Sequence, residues 1–460
     1  MLLGGAAVIT TWFAAGVLVP RQVSKGPSLS GVWATEGYGM IAEITGDTAL
    51  RVFEVTRLSC IPSFEARAIT RANGALAAFR LARAPVTLVV FADPNPDQAR
   101  LHMNSAASDI VIRRIDRKPA TCDRPAENTP ISNFDIFAAT WAEQYGFFNL
   151  KKADWSKIVG AARSRVTDKT PPAELFDILS GMIARFEDAH TSIRAADINR
   201  RFSGFRGGRL DNSDETRAYA LADGYLQAPI HAFCEGQVEF GMLPNSIAYL
   251  RLRNFGGYHA DGSFESGLAA LEAALDTIFA ATSRWKGMVI DVRINDGGAD
   301  PYGLAIAARL ASRDYAAYSK QARFDPTDPR RWTPAQPSLV KPSSRPGFRG
   351  PVVELIGRHS VSAAETFTQA LLERTPKVIR VGENTQGVFS DVLGRQLPNG
   401  WRFGLPNERF VTRGKSYDGR GISPDVALAP ISKEELNGNV DRGLVKAIVI
   451  LNGKAKPRGG

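Results

Sequence analysis

The spacing of apolar residues changes twice along this chain, and each change marks a different way of building a core. Between residues 30 and 120 the apolar residues come in short β-branched runs: Met40–Thr45, Leu50–Thr56, Val86–Phe91 and Ile110–Ile115. Gly46-Asp47, Asn73-Gly74 and Asp93-Pro94 punctuate them, which predicts strands joined by tight turns. The period then becomes helical. Phe134, Phe137, Trp141, Tyr145 and Phe148 form one stripe, which reads as core rather than as a ligand box. Pro171-Pro172 opens a second helix with Leu175, Ile178, Leu179, Met182, Ile183 and Phe186 on one face. From about residue 193, strands and helices alternate. Ala248–Leu252 reads as a strand, Phe264 to Ile278 as an amphipathic helix, and Met288–Ile294 as a buried strand. Val352–Ile356, Ala363–Glu373 and Val378–Val381 read strand, helix, strand. An irregular insertion with six prolines, residues 324–350, interrupts this last region as a surface loop.

A chain of 460 residues has room for two to four such units. Its 44% apolar and 23% charged residues fit a folded soluble protein and exclude disorder and a multi-span membrane protein. The formal charge is +10, but the basic residues are scattered. With no zinc finger, RNP signature or Walker loop, nucleic-acid binding is not expected. Leu2 to Pro20 carry no charge. The run reads as a signal-peptide h-region before a permanent anchor, with a buried N-terminal element as the alternative. Arg21 and Lys25 follow the run and none precedes it, the polarity expected of a start downstream of the true one. Of three cysteines, no pair has CxxC spacing. Cys60 and Cys122 either pair as a disulfide in an exported chain or stay as two buried thiols. Cys234 has no local partner.

Four local features carry chemistry. In Ser360-Val361-Ser362-Ala363-Ala364-Glu365, Ser362 stands where a strand turns into a helix. Free N–H groups there favour the charge that develops on an attacking hydroxyl, and Ala363 N–H points where an oxyanion would form. Ser-x-x-Glu is also a capping box, and taken alone the motif is more often a cap. A nucleophilic serine needs a base. Among five histidines, His190 in Asp188-Ala189-His190-Thr191 is the candidate, with His359 as competitor. Asp291-Val292-Arg293-Ile294-Asn295-Asp296-Gly297-Gly298 runs a buried strand into a Gly-Gly turn. Gly297 or Gly298 is there a second oxyanion donor or simply part of a tight turn. In Tyr417-Asp418-Gly419-Arg420-Gly421-Ile422-Ser423-Pro424-Asp425, an acid could orient a histidine or serve the turn.

In this order, His190, the Asp-x-Arg-x-Asn-x-Gly-Gly strand, Ser-Ala-Ala-Glu and Gly-Ile-x-Pro-Asp resemble the tail-specific (C-terminal-processing) serine peptidase family. The resemblance spans roughly residues 131 to 435 and takes in Asp154-Trp155 and Gly382-Glu383-Asn384-Thr385-Gln386-Gly387. The bacterial branch of that family uses a lysine base shortly after the serine. No lysine lies between Lys377 and Lys415, so the resemblance is to the histidine-using branch of the tricorn protease core and interphotoreceptor retinoid-binding protein. That branch implies Ser362 as nucleophile, His190 as base and Asp418, where glutamate is usual, as its orienting acid. Ala363 with Gly297 or Gly298 would bind the oxyanion. Asp425 is expected to be structural, and no cofactor or metal is required.

The implied fold is multidomain α+β. Residues 1–27 are a signal peptide or membrane anchor. Residues 28–125 are a small barrel whose Gly31-Val32-Trp33 is similar to the opening strand of lipocalin-like barrels. Residues 131–192 are helical, and 193–460 form a ββα-spiral, crotonase-like peptidase core. The expected protein is an exported serine peptidase acting on peptides or proteins, with attachment to a membrane through its first residues as a further expectation. The alternative is a non-catalytic binding protein on the same fold.

Overall fold

The computed structural model describes residues 29–46, 48–70 and 74–454. The uncharged N-terminal run and part of two turn signals lie outside them.

Eight strands come first: β1 (Gly31–Thr35), β2 (Met40–Thr45), β3 (Ala49–Val55), β4 (Cys60–Ala68), β5 (Ala75–Leu81), β6 (Thr87–Ala92), β7 (Gln98–Met103) and β8 (Asp109–Ile115). They form a closed barrel in sequence order, antiparallel throughout, with β1 pairing β8. Closure leaves no open edge, which suits strands this short. Inward residues such as Trp33, Val52, Phe79, Val90 and Ile112 are buried in one cluster. Cys60 and Cys122 are bonded, so the thiol alternative falls away. The bond ties the start of β4 to the segment after β8 across a sequence separation of 62. A loop of that length contributes about 4 kcal/mol in the chain-entropy model. A Cys60→Ala/Cys122→Ala variant is expected to lose about 2–4 kcal/mol, read as a lower urea midpoint. An unchanged midpoint, with or without reductant, would refute that contribution.

Three helices follow: α1 (Pro130–Gln144), α2 (Trp155–Arg163) and α3 (Pro172–Ala184). Thr129 and Asp154 cap the first two with their side chains. The predicted face of α3 is buried from Leu175 to Ile183. These helices share their core with a sheet built from β9 (Ser192–Ala195), β10 (Arg200–Ser203), β21 (Val392–Gln396) and β22 (Arg402–Pro406), through Trp401, Phe403 and Leu405.

The third region begins with α4 (Asn212–Asp223), β11 (His231–Phe233), β12 (Val238–Leu243), β13 (Ile247–Leu252), α5 (Phe264–Ile278), β14 (Gly287–Asp291), β15 (Ile294–Asn295) and α6 (Asp300–Leu310). It continues with β16 (Tyr315–Ala322), β17 (Gln336–Val340), β18 (Val352–Ile356), β19 (His359–Ser360), α7 (Ala363–Ala370) and β20 (Ile379–Gly382). Beyond β22 come β23 (Glu408–Thr412), β24 (Lys415–Ser416), β25 (Val426–Ala427), α8 (Lys433–Gly438) and α9 (Arg442–Lys454). A seven-stranded sheet runs β11-β12-β13-β14-β18-β20-β25, parallel from β13 onward. Alternate residues face opposite layers. Tyr249, Val289 and Val353 pack towards Leu444 and Leu451 of α9, while Leu250 and Ile290 join the cluster of α5, α6 and α7.

The insertion departs from the sequence expectation. Its Gln336–Val340 is a strand, at the edge of the sheet β17-β16-β23-β24. Pro337 is tolerated because an edge strand leaves one row of N–H groups unpaired. Gln336 clamps the barrel by exchanging bonds of 2.9 and 2.7 Å with the Asp109 backbone. Among the described residues no helix is long and apolar enough to cross a membrane.

Candidate active site

Two strand ends meet at the centre of the core. β14 runs parallel to β18, and beyond them β15 pairs with β19, matching Asn295 to Ser360. Parallel pairing puts both following turns at the same end of the sheet. Val361 N–H donates to the Asn295 carbonyl at 2.9 Å, locking the turns together. The Asp-x-Arg half of the first motif is structural. Arg293 is buried and forks between Asp291 and Asp441, with bonds from 2.6 to 3.0 Å, tying the strand to α9.

The two glycines have different surroundings. Gly297 N–H donates to Asn295 Oδ1 at 2.9 Å, and its carbonyl accepts from Phe255 N–H at 2.7 Å. A β-carbon on Gly297 would stand 2.6 Å from Ser362 Cβ and 2.9 Å from Ala363 N, at a φ of +95°. Only glycine fits this contact. Gly297→Ala is expected to remove at least 99% of any hydrolytic activity, measured as kcat/KM on a cleaved peptide, because Ser362 must shift. Activity within threefold of wild type would contradict this contact. The N–H groups of Gly298 and Ala363 engage no other group among the described residues.

Ser362 is the N-cap of α7, at φ 57° and ψ −118°. A positive φ at a non-glycine residue stores strain and is concentrated at functional sites. The capping expectation is met in an unusual way. The N–H of Glu365 goes to the Ser362 carbonyl at 2.7 Å, and the serine hydroxyl makes no side-chain cap bond. The Glu365 carboxylate is fully buried and holds a different segment. It accepts from Thr385 Oγ1 and Gly387 N–H at 2.6 Å and from Val388 N–H at 2.8 Å. Its fourth contact is Ser362 N–H at 3.4 Å. Burial pushes its pKa up to about 7. Sequence pattern alone read Glu365 as a cap. Its role as the pillar under residues 385–388 was not visible there.

That strip continues to the other candidates. Phe389 N–H lies 3.5 Å from Asp418 Oδ1, and the Ser390 backbone lies against the His190 imidazole. Asp418 also accepts from Ser416 Oγ at 2.5 Å. Burial pushes the Asp418 carboxyl up to about 7, and the neighbouring Asp188 adds to the rise. His190 sits in a rigid turn. Its N–H donates to Asp188 Oδ1 at 2.9 Å, and Thr191 Oγ1 donates to the Asp188 carbonyl at 2.7 Å. Gly204 permits this turn, since a β-carbon there would stand 2.3 Å from the Asp188 carbonyl oxygen. Burial lowers the His190 pKa, while Asp188 and Asp391 act in the opposite direction. Its Nδ1 is buried with no hydrogen-bond partner among the described residues, and so is the hydroxyl of nearby Tyr145. Both Asp188 and Asp418 act on Tyr145, which the sequence presents only as part of a core stripe.

The competing residues lie elsewhere or are otherwise engaged. His359 stacks on Phe205 at 5.4 Å and is lowered to about 4 by burial and by Arg358. His102 is in the barrel with Asp109, and His231 is exposed. Lys320 does reach the strip, from β16. It is buried against Asp391 and Glu408 at 2.5 and 3.1 Å. Burial opposes its charge, but those carboxylates hold it protonated, so it is no general base. Asp425 pairs with Lys377 and Arg380 at 2.6 and 3.0 Å, a structural tie. Beside Asp418 opens a cleft of about 680 Å³ whose wall includes Lys151, Trp332, Arg409 and Arg420.

Residues 246–428, which hold Ser362, the Gly-Gly turn and Asp418, match the model of peptidase family S41. That stretch is therefore a family S41 peptidase region. Family S41 consists of serine peptidases, so this region marks a serine-type hydrolase, with protein substrates implied. A crystal structure of a Parabacteroides merdae protein assigned as a peptidase is similar at 27% identity, with a TM-score of 0.60. The match covers 71% of this chain and 97% of that one. Mature CPAF shares the fold at 12% identity and a TM-score of 0.54, over 71% of this chain and 98% of its own. No curated protein matches the chain. Barrel, helical segment and mixed-sheet family S41 core together make the chain multidomain α+β.

Proposed function

We propose that this chain is an exported serine peptidase working through Ser362, His190 and Asp418. The observation that carries the proposal is Ser362 itself. It is a strained N-cap whose hydroxyl makes no cap bond and whose helix amide at Ala363 is unengaged among the described residues, pressed against a glycine that admits no side chain.

In the proposed reaction, Ser362 Oγ adds to the peptide carbonyl carbon as His190 takes its proton. The oxyanion is received by the N–H groups of Ala363 and Gly298, with Gly297 supplying room rather than a donor. The tetrahedral adduct collapses, and His190 returns the proton to the departing amine. Water then attacks the Ser362 ester by the same steps in reverse roles, releasing the acid and the free hydroxyl. Asp418 receives Nδ1–H as the imidazole becomes charged. Such bonds are often long before substrate binds. Asp188 is less suited, because its Oδ1 already accepts from the His190 backbone.

Export is supported by the Cys60–Cys122 disulfide, since such bonds persist in oxidising compartments. The uncharged first residues would supply the export signal or a membrane attachment. Within the wider architecture, the barrel is taken as lipocalin-like and the core as a ββα spiral of crotonase type. The test is mass-spectrometric cleavage of a mixed peptide library by wild type and Ser362→Ala. Products from wild type alone are expected. Equal products from both would refute the assignment, and none from either would favour a binding protein.

A further inference from the structure

The barrel encloses a cavity of about 200 Å³ that neither the catalytic groups nor the core packing uses. Roughly 150 Å³ is enough for benzene, so this volume suits a ligand of about six to ten non-hydrogen atoms. Its walls are apolar, with Val52, Phe64, Leu88 and Leu101 among them, as expected of an eight-stranded barrel that holds one small molecule. Its floor is not apolar. Lys320, Asp391 and Glu408 line it where the barrel meets the core, and Tyr38 Oη donates to Glu408 at 2.7 Å.

The floor holds one ammonium against two carboxyls, and burial raises the pKa of the Glu408 carboxyl. One ammonium, Lys320, faces the carboxyls of Asp391 and Glu408, and all three act on Asp300 behind them. Lys320 and Glu408 are almost wholly buried, whereas the Asp391 side chain is 46% exposed. A ligand ammonium beside the half-exposed Asp391 would be attracted to that carboxylate, whereas a ligand carboxylate would be repelled by it. The position of the floor also matters. Asp391 follows Ser390, whose backbone touches His190, and Val392, Leu393 and Gly394 line the cavity directly.

We propose that the barrel interior is a binding site for a small hydrophobic amine, with its hydrocarbon body among the inward strand side chains and its ammonium against Asp391, and that occupancy shifts the 390–394 strip and is felt at His190. The site stands whether or not Ser362 is a nucleophile.

The test uses the full chain and three probes, n-hexylammonium, 1-hexanol and hexanoate, titrated by calorimetry. Hexylammonium is expected to bind about tenfold tighter than hexanol, with hexanoate weakest. Asp391→Asn is expected to bring hexylammonium down to the hexanol level. Ala42→Trp would fill the cavity and abolish binding of all three. Should that variant not fold, Ala106→Trp blocks the rim from a turn. NMR of the histidine side chains should show His190 shifting on saturation while exposed His231 stays put. The proposal is overturned if no probe binds at millimolar concentration, or if hexanoate binds as tightly as hexylammonium. It is equally overturned if hexylammonium still binds to a folded, plugged variant, or if saturation leaves His190 unmoved.

Discussion

Ser362→Ala is expected to lower kcat on a cleaved peptide by about 10⁴-fold or more while leaving the fold intact. In the proposed mechanism the loss is large because the serine forms the covalent intermediate, and residual turnover from the amides and binding alone is small. The fold should survive for a specific reason. The Ser362 hydroxyl makes no cap bond, and the bonds that hold this turn come from its backbone and from Glu365. Alanine therefore removes no partner. It keeps the strained φ of 57°, so the thermal midpoint should move by no more than a few degrees. Comparable kcat in a folded variant would remove Ser362 from the mechanism. A collapse in stability would instead show that the hydroxyl is structural.

Asp418→Asn is expected to lower kcat by about 10² to 10⁴-fold and to change the pH profile in a defined way. Two groups must be unprotonated for the proposed chemistry, the His190 imidazole and the Asp418 carboxyl. Burial lowers the His190 pKa, so the imidazole gives up its proton at a lower pH than an ordinary histidine. Burial raises Asp418 to about 7, so this carboxyl is the one that takes a proton as the medium turns mildly acidic. Activity should therefore rise with pH through about 7, and this acid limb should belong to Asp418 with a contribution from neighbouring Asp188. In Asp418→Asn the limb should move below the ordinary histidine range. A profile of kcat/KM against pH that keeps its limb near 7 in the variant would exclude Asp418 as the orienting acid. Asp188→Asn should cost less activity and more stability, since that carboxylate holds the turn that presents His190.

Much of the fold was legible because periodicity is written locally. Met40–Thr45, Phe264–Ile278 and Val352–Ile356 come out with the boundaries their apolar spacing predicts. Each has a face, or two, that must be buried whatever its neighbours are. Other elements were not legible. β4 carries Pro62 and several polar residues, and it is a strand because barrel closure gives it partners on both sides. The register shifts near that proline, where a missing N–H does least harm. The aromatic stripe runs on to Phe148, yet α1 ends at Gln144. Tyr145 turns to extended backbone there, and Gly146 passes so close to Trp332 that a β-carbon would stand 2.9 Å from the ring. Such contacts between distant segments leave no trace in spacing.

The same division holds at the site. By itself the sequence determined which residue types were present and in what order: a serine at a strand-to-helix turn, a Gly-Gly turn, a histidine beyond a helix and an acid in a late turn. It also determined the absence of a lysine where one branch of such enzymes needs it. Which of these are brought near one another was decided by the tertiary structure. Parallel pairing of β15 with β19 brings Gly297 against Ser362. Glu365 holds the strip that carries the backbone of Phe389 to Asp418 and that of Ser390 to His190. The same pairing left Gly298, not Gly297, with an amide unengaged among the described residues, because Asn295 takes the other. Burial, which no local pattern specifies, then lowered the pKa of His190 and raised that of Asp418. Chain order encodes residue identity and local period, whereas proximity and desolvation belong to the assembled core.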